Sequence, residues 1–156
     1  MQTTWILVAD SSRARIFEQQ GVDGQLEEIE DFVNPAGRAA DSELGADEEG
    51  RFIGMGERFQ GHTSEPAATP HEHQTQLFAN SVTQYLQHAH SEHRFHHLNL
   101  IAPAKFLGLL RADLNKEVLR MVVGEMSREI SGWSMHDIEI YLRAKHQEQG
   151  GAAPAT

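Results

Sequence analysis

The chain has 156 residues, enough for one domain with a substantial hydrophobic core. It contains no cysteine, which excludes disulfides, thiolate metal sites and a cysteine nucleophile. With 13 Lys and Arg against 23 Asp and Glu, the formal charge of −10 argues against binding nucleic acids by bulk electrostatics, although local basic patches remain open. The first residues, MQTTWILVAD, do not resemble a signal peptide, and no stretch approaches the roughly 20 apolar residues of a membrane span. We therefore expect a cytoplasmic protein with no membrane partner.

The first part of the chain predicts three strands. The apolar run over residues 4–9 is typical of a strand buried on both faces, and residues 13–19 predict a second strand. Residues 21–24 (GVDG) favour a hairpin turn. Residues 25–34 predict a third strand, whose carboxylates suit the edge of a sheet because charge discourages pairing with other chains. The three strands are expected to form an antiparallel meander.

Residues 34–69 predict a long loop, since Gly, Ala, Asp, Glu and Pro dominate and the apolar residues have no clean period. A loop of this length is uncommon in a compact domain and is usually functional or disordered. Its segment RFIGMGERFQGH, at residues 51–62, is the least loop-like part. We expect this segment to have a function or to pack against a partner.

The remainder predicts alternating helices and strands. In chain order these are an amphipathic helix over residues 70–90, a strand over 96–103, a helix over 103–114, a short helical turn over 115–119, a strand over 120–127 and a final helix from residue 134. Ser134 and Asp137 resemble a capping box. The order β-β-β-α-β-α-β-α predicts an α/β fold with a ribonuclease-H-like mixed sheet of about five strands and flanking helices. We expect one domain over residues 1–146 and a flexible tail over 147–156.

Four blocks resemble the bacterial host-attachment protein family, often described as required for attachment to host cells. They are WILVADSSRARIFE at residues 5–18, FANSVTQYL at 78–86, LIAPAKFLGLLRADL at 100–114 and EMSREISGWSMHDIEIYL at 125–142. That family is similar to the central domain of archaeal and eukaryotic peptide-chain release factors. The resemblance implies a protein that binds the ribosome or tRNA in translation rather than acting by its own catalysis, and it implies no cofactor. A protein-interaction module that affects attachment indirectly is a further possibility.

In release factors, the long loop after the third strand carries a Gly-Gly-Gln sequence that enters the peptidyl-transferase centre. The loop of this chain has no Gly-Gly-Gln, and its nearest substitute is GMGERFQG, in which Gln60 is the candidate catalytic residue. A glutamine can position water and stabilise an oxyanion, so a peptidyl-tRNA hydrolase is the alternative function. The candidate binding residues of this loop are Arg51, Gly54, Gly56, Arg58 and Gly61.

Asp10 ends the first predicted strand, where nucleases of this fold hold a metal ion. Such a site needs several carboxylates, because Mg²⁺ takes oxygen ligands and must clamp both sides of the scissile phosphate. The first helix has no carboxylate after Glu72, and the fourth strand ends without an acid at Ala102 and Pro103. We therefore predict no metal site, and we interpret Asp-Ser-Ser as the turn of a hairpin, whose side chains bond nearby backbone amides.

Arg13 and Arg15 lie two residues apart, so on a strand their side chains project from one face. Either arginine could pair with Asp10 or with the acidic third strand beside it. Alternatively, this face contacts phosphate or a protein partner, and on that reading Arg13 and Arg15 are candidate binding residues.

Seven of the ten histidines fall between His71 and His97. Imidazole suits Zn²⁺ and Ni²⁺, and helical ligand pairs are usually four residues apart. Only His93 and His97 have that spacing in the second half of this cluster, and the helix is expected to end between them. We therefore interpret the cluster as a solvated helix end rather than a metal site.

Overall fold

The structure is a computed structural model that describes residues 2–21, 24–35 and 69–152. Its elements in chain order are β1 (Thr3–Ala9), β2 (Arg13–Gln20), β3 (Leu26–Val33), α1 (Pro70–Ser91), β4 (His97–Ala102), α2 (Ala104–Asp113), α3 (Lys116–Met121), β5 (Val122–Ser127) and α4 (Met135–Ala152). Within the described residues, no helix is long and apolar enough to cross a membrane. Nearly all of the predicted loop over 34–69 lies outside the described residues.

The five strands form one mixed sheet in the order β3-β2-β1-β4-β5. The pairs β1–β2 and β2–β3 are antiparallel, whereas β1–β4 and β4–β5 are parallel. The meander β1–β3 therefore forms one half of the sheet, and the parallel strands β4 and β5, which each follow a helix, form the other half. The predicted α/β fold with a ribonuclease-H-like sheet is confirmed.

Strand β1 lies at the centre of the sheet and is buried on both faces, as its continuous apolar run predicted. Trp5 and Leu7 point to one face, and Ile6 and Val8 point to the other. At the edge of the sheet, β3 keeps its carboxylates at the partly or fully exposed positions. The charged edge fits the prediction for β3, because charge blocks further strand pairing.

The two faces of the sheet have separate hydrophobic cores. On the first face, β1, β2 and β4 pack against α1, α2 and α3, and this core contains most of the buried apolar side chains. On the second face, α4 and the residues just before it pack through a smaller cluster that includes Phe17, Ile130 and Ile138. Within the described residues, the second face is therefore covered by fewer elements than the first.

The helix boundaries follow local capping signals. Thr69 precedes α1 and forms a reciprocal pair with Glu72, since the Glu72 amide donates to the Thr69 hydroxyl (3.0 Å) and the Thr69 amide donates to the Glu72 carboxylate (2.9 Å). Asn115 caps α3 by accepting from the Val118 amide at 2.9 Å. At the start of α4, Ser134 accepts from the Asp137 amide at 3.0 Å, which confirms the predicted cap.

Two boundaries differ from the sequence prediction. The short helical turn expected over residues 115–119 continues to Met121, so β5 begins at Val122 rather than at residue 120. Helix α4 continues to Ala152, past the domain boundary expected at residue 146. A difference of one or two residues, as at the end of α3, is common because the last turn of a helix frays.

Candidate functional site at the carboxyl edge of the sheet

The parallel strands β1, β4 and β5 end at the same edge of the sheet, where ligand sites of open α/β sheets usually form. Asp10 follows β1, Pro103 follows β4, and Arg128 follows β5. Residues 128–134, called here the β5–α4 connection, cross this edge on the way to α4. The candidate site is formed by the β1–β2 turn and this connection.

Asp10 organises the β1–β2 turn. Its Oδ1 accepts hydrogen bonds from the Ser12 amide (2.8 Å), the Ser12 hydroxyl (3.1 Å) and the Arg13 amide (2.9 Å). Its Oδ2 accepts from the hydroxyl of Ser131, in the β5–α4 connection, at 2.6 Å. The interpretation of Asp10 as a hairpin residue is confirmed. In addition, its hydrogen bond with Ser131 joins the β1–β2 turn to the β5–α4 connection. In the part of the chain that the structure describes, no group of His, Asp and Glu side chains is arranged to hold a metal ion.

Arg15 is 5% exposed, and its guanidinium donates hydrogen bonds to three residues. Its Nε and Nη2 donate to the Glu28 carboxylate at 3.1 and 2.9 Å. Its Nη1 donates to the carbonyls of Ser131 (2.9 Å) and Trp133 (2.6 Å). A bidentate arginine can satisfy a carboxylate and two carbonyls at once because its donors form a rigid planar fork. Arg15 therefore fixes the β5–α4 connection onto the hairpin, and its guanidinium points into the protein.

Arg13 lies on the same strand face but near solvent. Its Nε and Nη2 donate to the Asp31 carboxylate at 3.1 and 2.7 Å, and both side chains are about one-third exposed, at 32% and 39%. This hydrogen-bonded carboxylate raises the pKa of Arg13 above its ordinary value, so Arg13 stays charged. Both arginines thus pair with the acidic third strand, one of the two alternatives that the sequence left open. Of the two, Arg13 has the more accessible guanidinium.

The β5–α4 connection places a cation beside two aromatic rings. Trp133 and Tyr141 meet edge to face, with ring centroids 5.9 Å apart. The Arg128 guanidinium carbon lies 5.8 Å from the centroid of Trp133 and 5.1 Å from that of Tyr141. Lys145 Nζ also lies near this pair, 5.8 Å from the centroid of the Tyr141 ring. We call Arg128, Trp133 and Tyr141 the aromatic platform.

The aromatic platform was missed in the sequence. Tyr141 was expected to be an apolar residue of the last helix, and Arg128 was noted only as part of the family block over residues 125–142. The available signal was the spacing of three residues. Arg128 lies five residues before Trp133, and Tyr141 follows on the partly buried side of the last helix. Such spacing indicates a cluster only once the β5–α4 connection is known to fold back, through the hydrogen bond from the Trp133 amide to the Ile130 carbonyl (3.0 Å).

The remaining predicted site residues lie outside the described residues. They are Gln60, the candidate catalytic residue, and the candidate binding residues Arg51, Gly54, Gly56, Arg58 and Gly61. Their assignments stay sequence-based predictions.

The histidines near the end of α1 have local structural contacts. The imidazole of His96 accepts from the Thr3 amide at 2.9 Å, and His88 lies 3.3 Å from Glu92. His93 adopts a left-handed conformation (φ 59°) after the helix end. Since α1 ends at Ser91 and β4 begins at His97, His93 and His97 do not share a helix. The interpretation of this segment as a helix end is confirmed.

The chain matches a protein family and is similar to a solved structure. Residues 5–142 match a family described as "Protein required for attachment to host cells". No curated protein sequence matches the chain. Among solved structures, the chain is similar to the type II variant of the Ppx/GppA phosphatase from Aquifex aeolicus, with 12% identity and a TM-score of 0.42. That match covers 81% of this chain but only 35% of the phosphatase chain.

Proposed function

Since the chain belongs to the family of proteins required for attachment to host cells, we propose that its molecular activity is to bind RNA on the ribosome, and that attachment depends on this activity indirectly. The observation behind the proposal is the aromatic platform, in which the exposed Arg128 lies beside the rings of Trp133 and Tyr141. The proposed role is binding without catalysis.

The chemistry of the aromatic platform suits single-stranded RNA. Proteins bind unpaired bases by stacking them on aromatic rings and guanidinium planes, while nearby cations contact the phosphates. Within the described residues, no carboxylate lies within ion-pair distance of Arg128. Its charge is therefore available to a phosphate. A second cation, Lys145, lies 5.8 Å from the Tyr141 ring and 3.7 Å from the Glu148 carboxylate.

The proposal is compatible with a net charge of −10 because the charges are distributed unevenly. The acidic strand β3 forms one edge of the sheet, and Arg128 follows β5 at the opposite edge. Twelve of the 23 carboxylates precede residue 50, whereas the aromatic platform comes late in the chain. Tyr141 is also on the β5 side, since its hydroxyl lies 3.4 Å from Met126 Sδ, so we expect RNA to approach the platform from the side of Arg128 and Tyr141. The choice of ribosomal RNA or tRNA as the target rests on the resemblance to release factors inferred from the sequence.

Co-sedimentation with ribosomes from a lysate at low salt tests the proposal. The wild-type chain should appear in the ribosome pellet, and the bound fraction should fall as salt is raised. Because one stacked base is worth about 1–3 kcal/mol, Trp133→Ala should lower the affinity at least about 5-fold. Arg128→Glu should also weaken binding, since it reverses the charge beside both rings.

Arg120→Glu is the matched control, because it makes the same charge change at an exposed arginine of α3, on the opposite face of the sheet. It should leave co-sedimentation unchanged. Failure of the wild-type chain to co-sediment would refute the proposal, and so would equal loss in the Arg120→Glu and Arg128→Glu variants. A specific protein partner captured without ribosomes would favour the interaction-module alternative. Peptide release through Gln60 is tested separately, by loss of peptidyl-tRNA hydrolysis in Gln60→Ala.

A further inference from the structure

A second concave surface lies on the α4 face of the sheet, away from the carboxyl edge. It is an open groove of about 910 Å³ between the amino-terminal halves of the parallel strands and the second half of α4. This volume lies within the range typical of small-molecule sites. Strand residues line the groove together with α4, so among the described residues the groove reaches down to the sheet itself.

The floor of the groove changes from apolar to polar along the strands. At the covered end, Val8 pairs with Ile101, and Ile101 pairs with Met126. Two residues back along each strand, on the same face, the row is Ile6, Asn99 and Gly124. One further step back, Thr4 pairs with His97. Polar side chains therefore replace apolar ones at the point where the groove opens.

Asn99 and Gly124 form the most specific part of this floor. A Cβ atom at Gly124 would lie 2.5 Å from Asn99 Oδ1, so the amide of Asn99 occupies the space that the glycine leaves. Within the described residues, no hydrogen bond engages the Asn99 side chain, although the residue is only partly exposed. A half-buried amide normally has a partner, and this one presents a donor and an acceptor to the groove.

Basic and acidic side chains share the wall of the groove. Arg143, Lys145 and His146 line it from one stretch of α4, and His97 lies on the floor. Lys145 Nζ lies 3.7 Å from the carboxylate of Glu148. The two carboxylates in the lining have protein partners. Glu139 accepts from the Leu26 amide at 3.3 Å and lies 3.8 Å from Arg143, and Glu125 lies 3.0 Å from Arg111.

The cations and the open amide together define a ligand class. Arg143 is 66% exposed, so its guanidinium can turn toward an anion in the groove. Arg143 and Lys145 are the cations that a small anion with a hydrogen-bonding body would contact above the polar floor, since their ion pairs with carboxylates, at 3.8 and 3.7 Å, are longer than direct hydrogen bonds. We propose that the groove binds a small phosphate monoester with a polar body, a nucleotide or a sugar phosphate, whose phosphate contacts Arg143 and whose body hydrogen-bonds to Asn99.

Calorimetric titration of the full chain tests this site with defined probes. AMP and glucose 6-phosphate represent the two sources of the same chemistry, and adenosine, glucose and inorganic phosphate are the partial ligands. At least one monoester should bind about 10-fold or more tightly than inorganic phosphate and than its own phosphate-free counterpart, a difference of about 1.4 kcal/mol. Whichever monoester binds more tightly identifies the source. If neither monoester binds more tightly than inorganic phosphate, the polar floor contributes nothing and the proposal is wrong.

Two variants locate the binding. Arg143→Gln removes the cation, and Gly124→Ala displaces the Asn99 amide with little effect on the fold, because only the end of a flexible side chain must move. Each should weaken binding of the monoester about 10-fold. Arg120→Gln, at an exposed arginine on the opposite face, is the matched control and should bind normally. Unchanged affinity in both groove variants would overturn the proposal.

The groove and the aromatic platform can be tested independently. Arg128→Glu should weaken ribosome binding and leave the titration with the monoester unchanged, whereas Gly124→Ala should have the opposite pattern. In a nitrogen-15 NMR spectrum, the ligand should shift the side-chain amide signal of Asn99, identified by its loss in Asn99→Leu. No shift of that signal under saturating ligand would place the binding elsewhere and refute the site.

Discussion

Arg13 and Arg15 project from the same face of β2 and both pair with β3, yet their environments differ. The Arg15 side chain is 7% exposed and also donates to two carbonyls of the β5–α4 connection. Arg13 pairs with Asp31 at the surface. Exposed pairs contribute little to stability because water screens them, whereas removal of one partner from a buried pair leaves an uncompensated charge.

We expect Arg15→Met to lower the free energy of unfolding by about 2–4 kcal/mol, because Glu28 and two carbonyls lose their donor. Arg13→Met, the matched substitution, should cost less than about 1 kcal/mol. Urea denaturation followed by circular dichroism measures both values. Equal costs for the two variants would contradict the structural role assigned to Arg15.

The position of Asp10 at a strand end fits two roles, a metal ligand or a hairpin residue. A carboxylate at the end of a central strand is a frequent metal ligand, but here each of its oxygens accepts hydrogen bonds from the protein. Its Oδ1 closes the hairpin and its Oδ2 holds the connection that leads to Trp133. Asp10 and Arg15 therefore support the aromatic platform through Ser131, without being part of its surface.

At the scale of elements, α1 depends on a charged residue in its first turn. The hydrogen bond from the Thr69 amide, and to a smaller extent the charge of Lys105, lowers the pKa of Glu72 below its ordinary value of 4.5. The carboxylate also interacts favourably with the positive end of the helix dipole. A lowered folded-state pKa means that ionised Glu72 stabilises the protein above its ordinary pKa, and that this contribution is lost as the pH falls through the lowered value.

We expect Glu72→Gln to be less stable than the wild-type chain at neutral pH, because the glutamine keeps the hydrogen bond but lacks the charge. The difference should disappear as the pH falls through the lowered pKa of Glu72, because the carboxylate is then protonated. Thermal unfolding of both proteins across this pH range measures the effect. A stability difference that does not depend on pH would show that the charge of Glu72 has no role in α1.

At the scale of the whole molecule, one sheet separates two cores. Trp5 is fully buried in the core beneath α1, and Trp133 lies against α4 on the other face. Strand β1 contributes side chains to both cores. Loss of either core would therefore expose the central strand and destabilise the other core.

This coupling predicts a single cooperative unfolding transition. In Trp133→Phe, fluorescence reports the Trp5 side, and in Trp5→Phe it reports the Trp133 side. In each variant the urea midpoint from fluorescence should equal the midpoint from far-ultraviolet circular dichroism, so the comparison does not depend on how much the substitution destabilises the protein. A lower fluorescence midpoint in Trp5→Phe alone would show that the α4 face unfolds independently.

The strands and helices, and their order along the chain, could be predicted from the sequence alone. Strand β1 followed from an apolar run with β-branched residues, α1 from a three- and four-residue apolar spacing after Pro70, and α4 from the cap at Ser134. These patterns depend only on residues that are close together in the chain, so they can be recognised in the sequence. The order of these elements was sufficient to predict the mixed sheet.

Only the tertiary structure decided which side chains form a site. Arg15 bonds to carbonyls 116 and 118 residues away, and Asp10 bonds to a hydroxyl 121 residues away. The contact of Asn99 with Gly124 depends on the parallel register of β4 and β5, which shifts between Leu98 and Asn99. Contacts of this kind are set by strand order, register and the folding back of a loop. A local pattern contains none of these, because a one-residue shift of register turns every side chain of the strand to the other face.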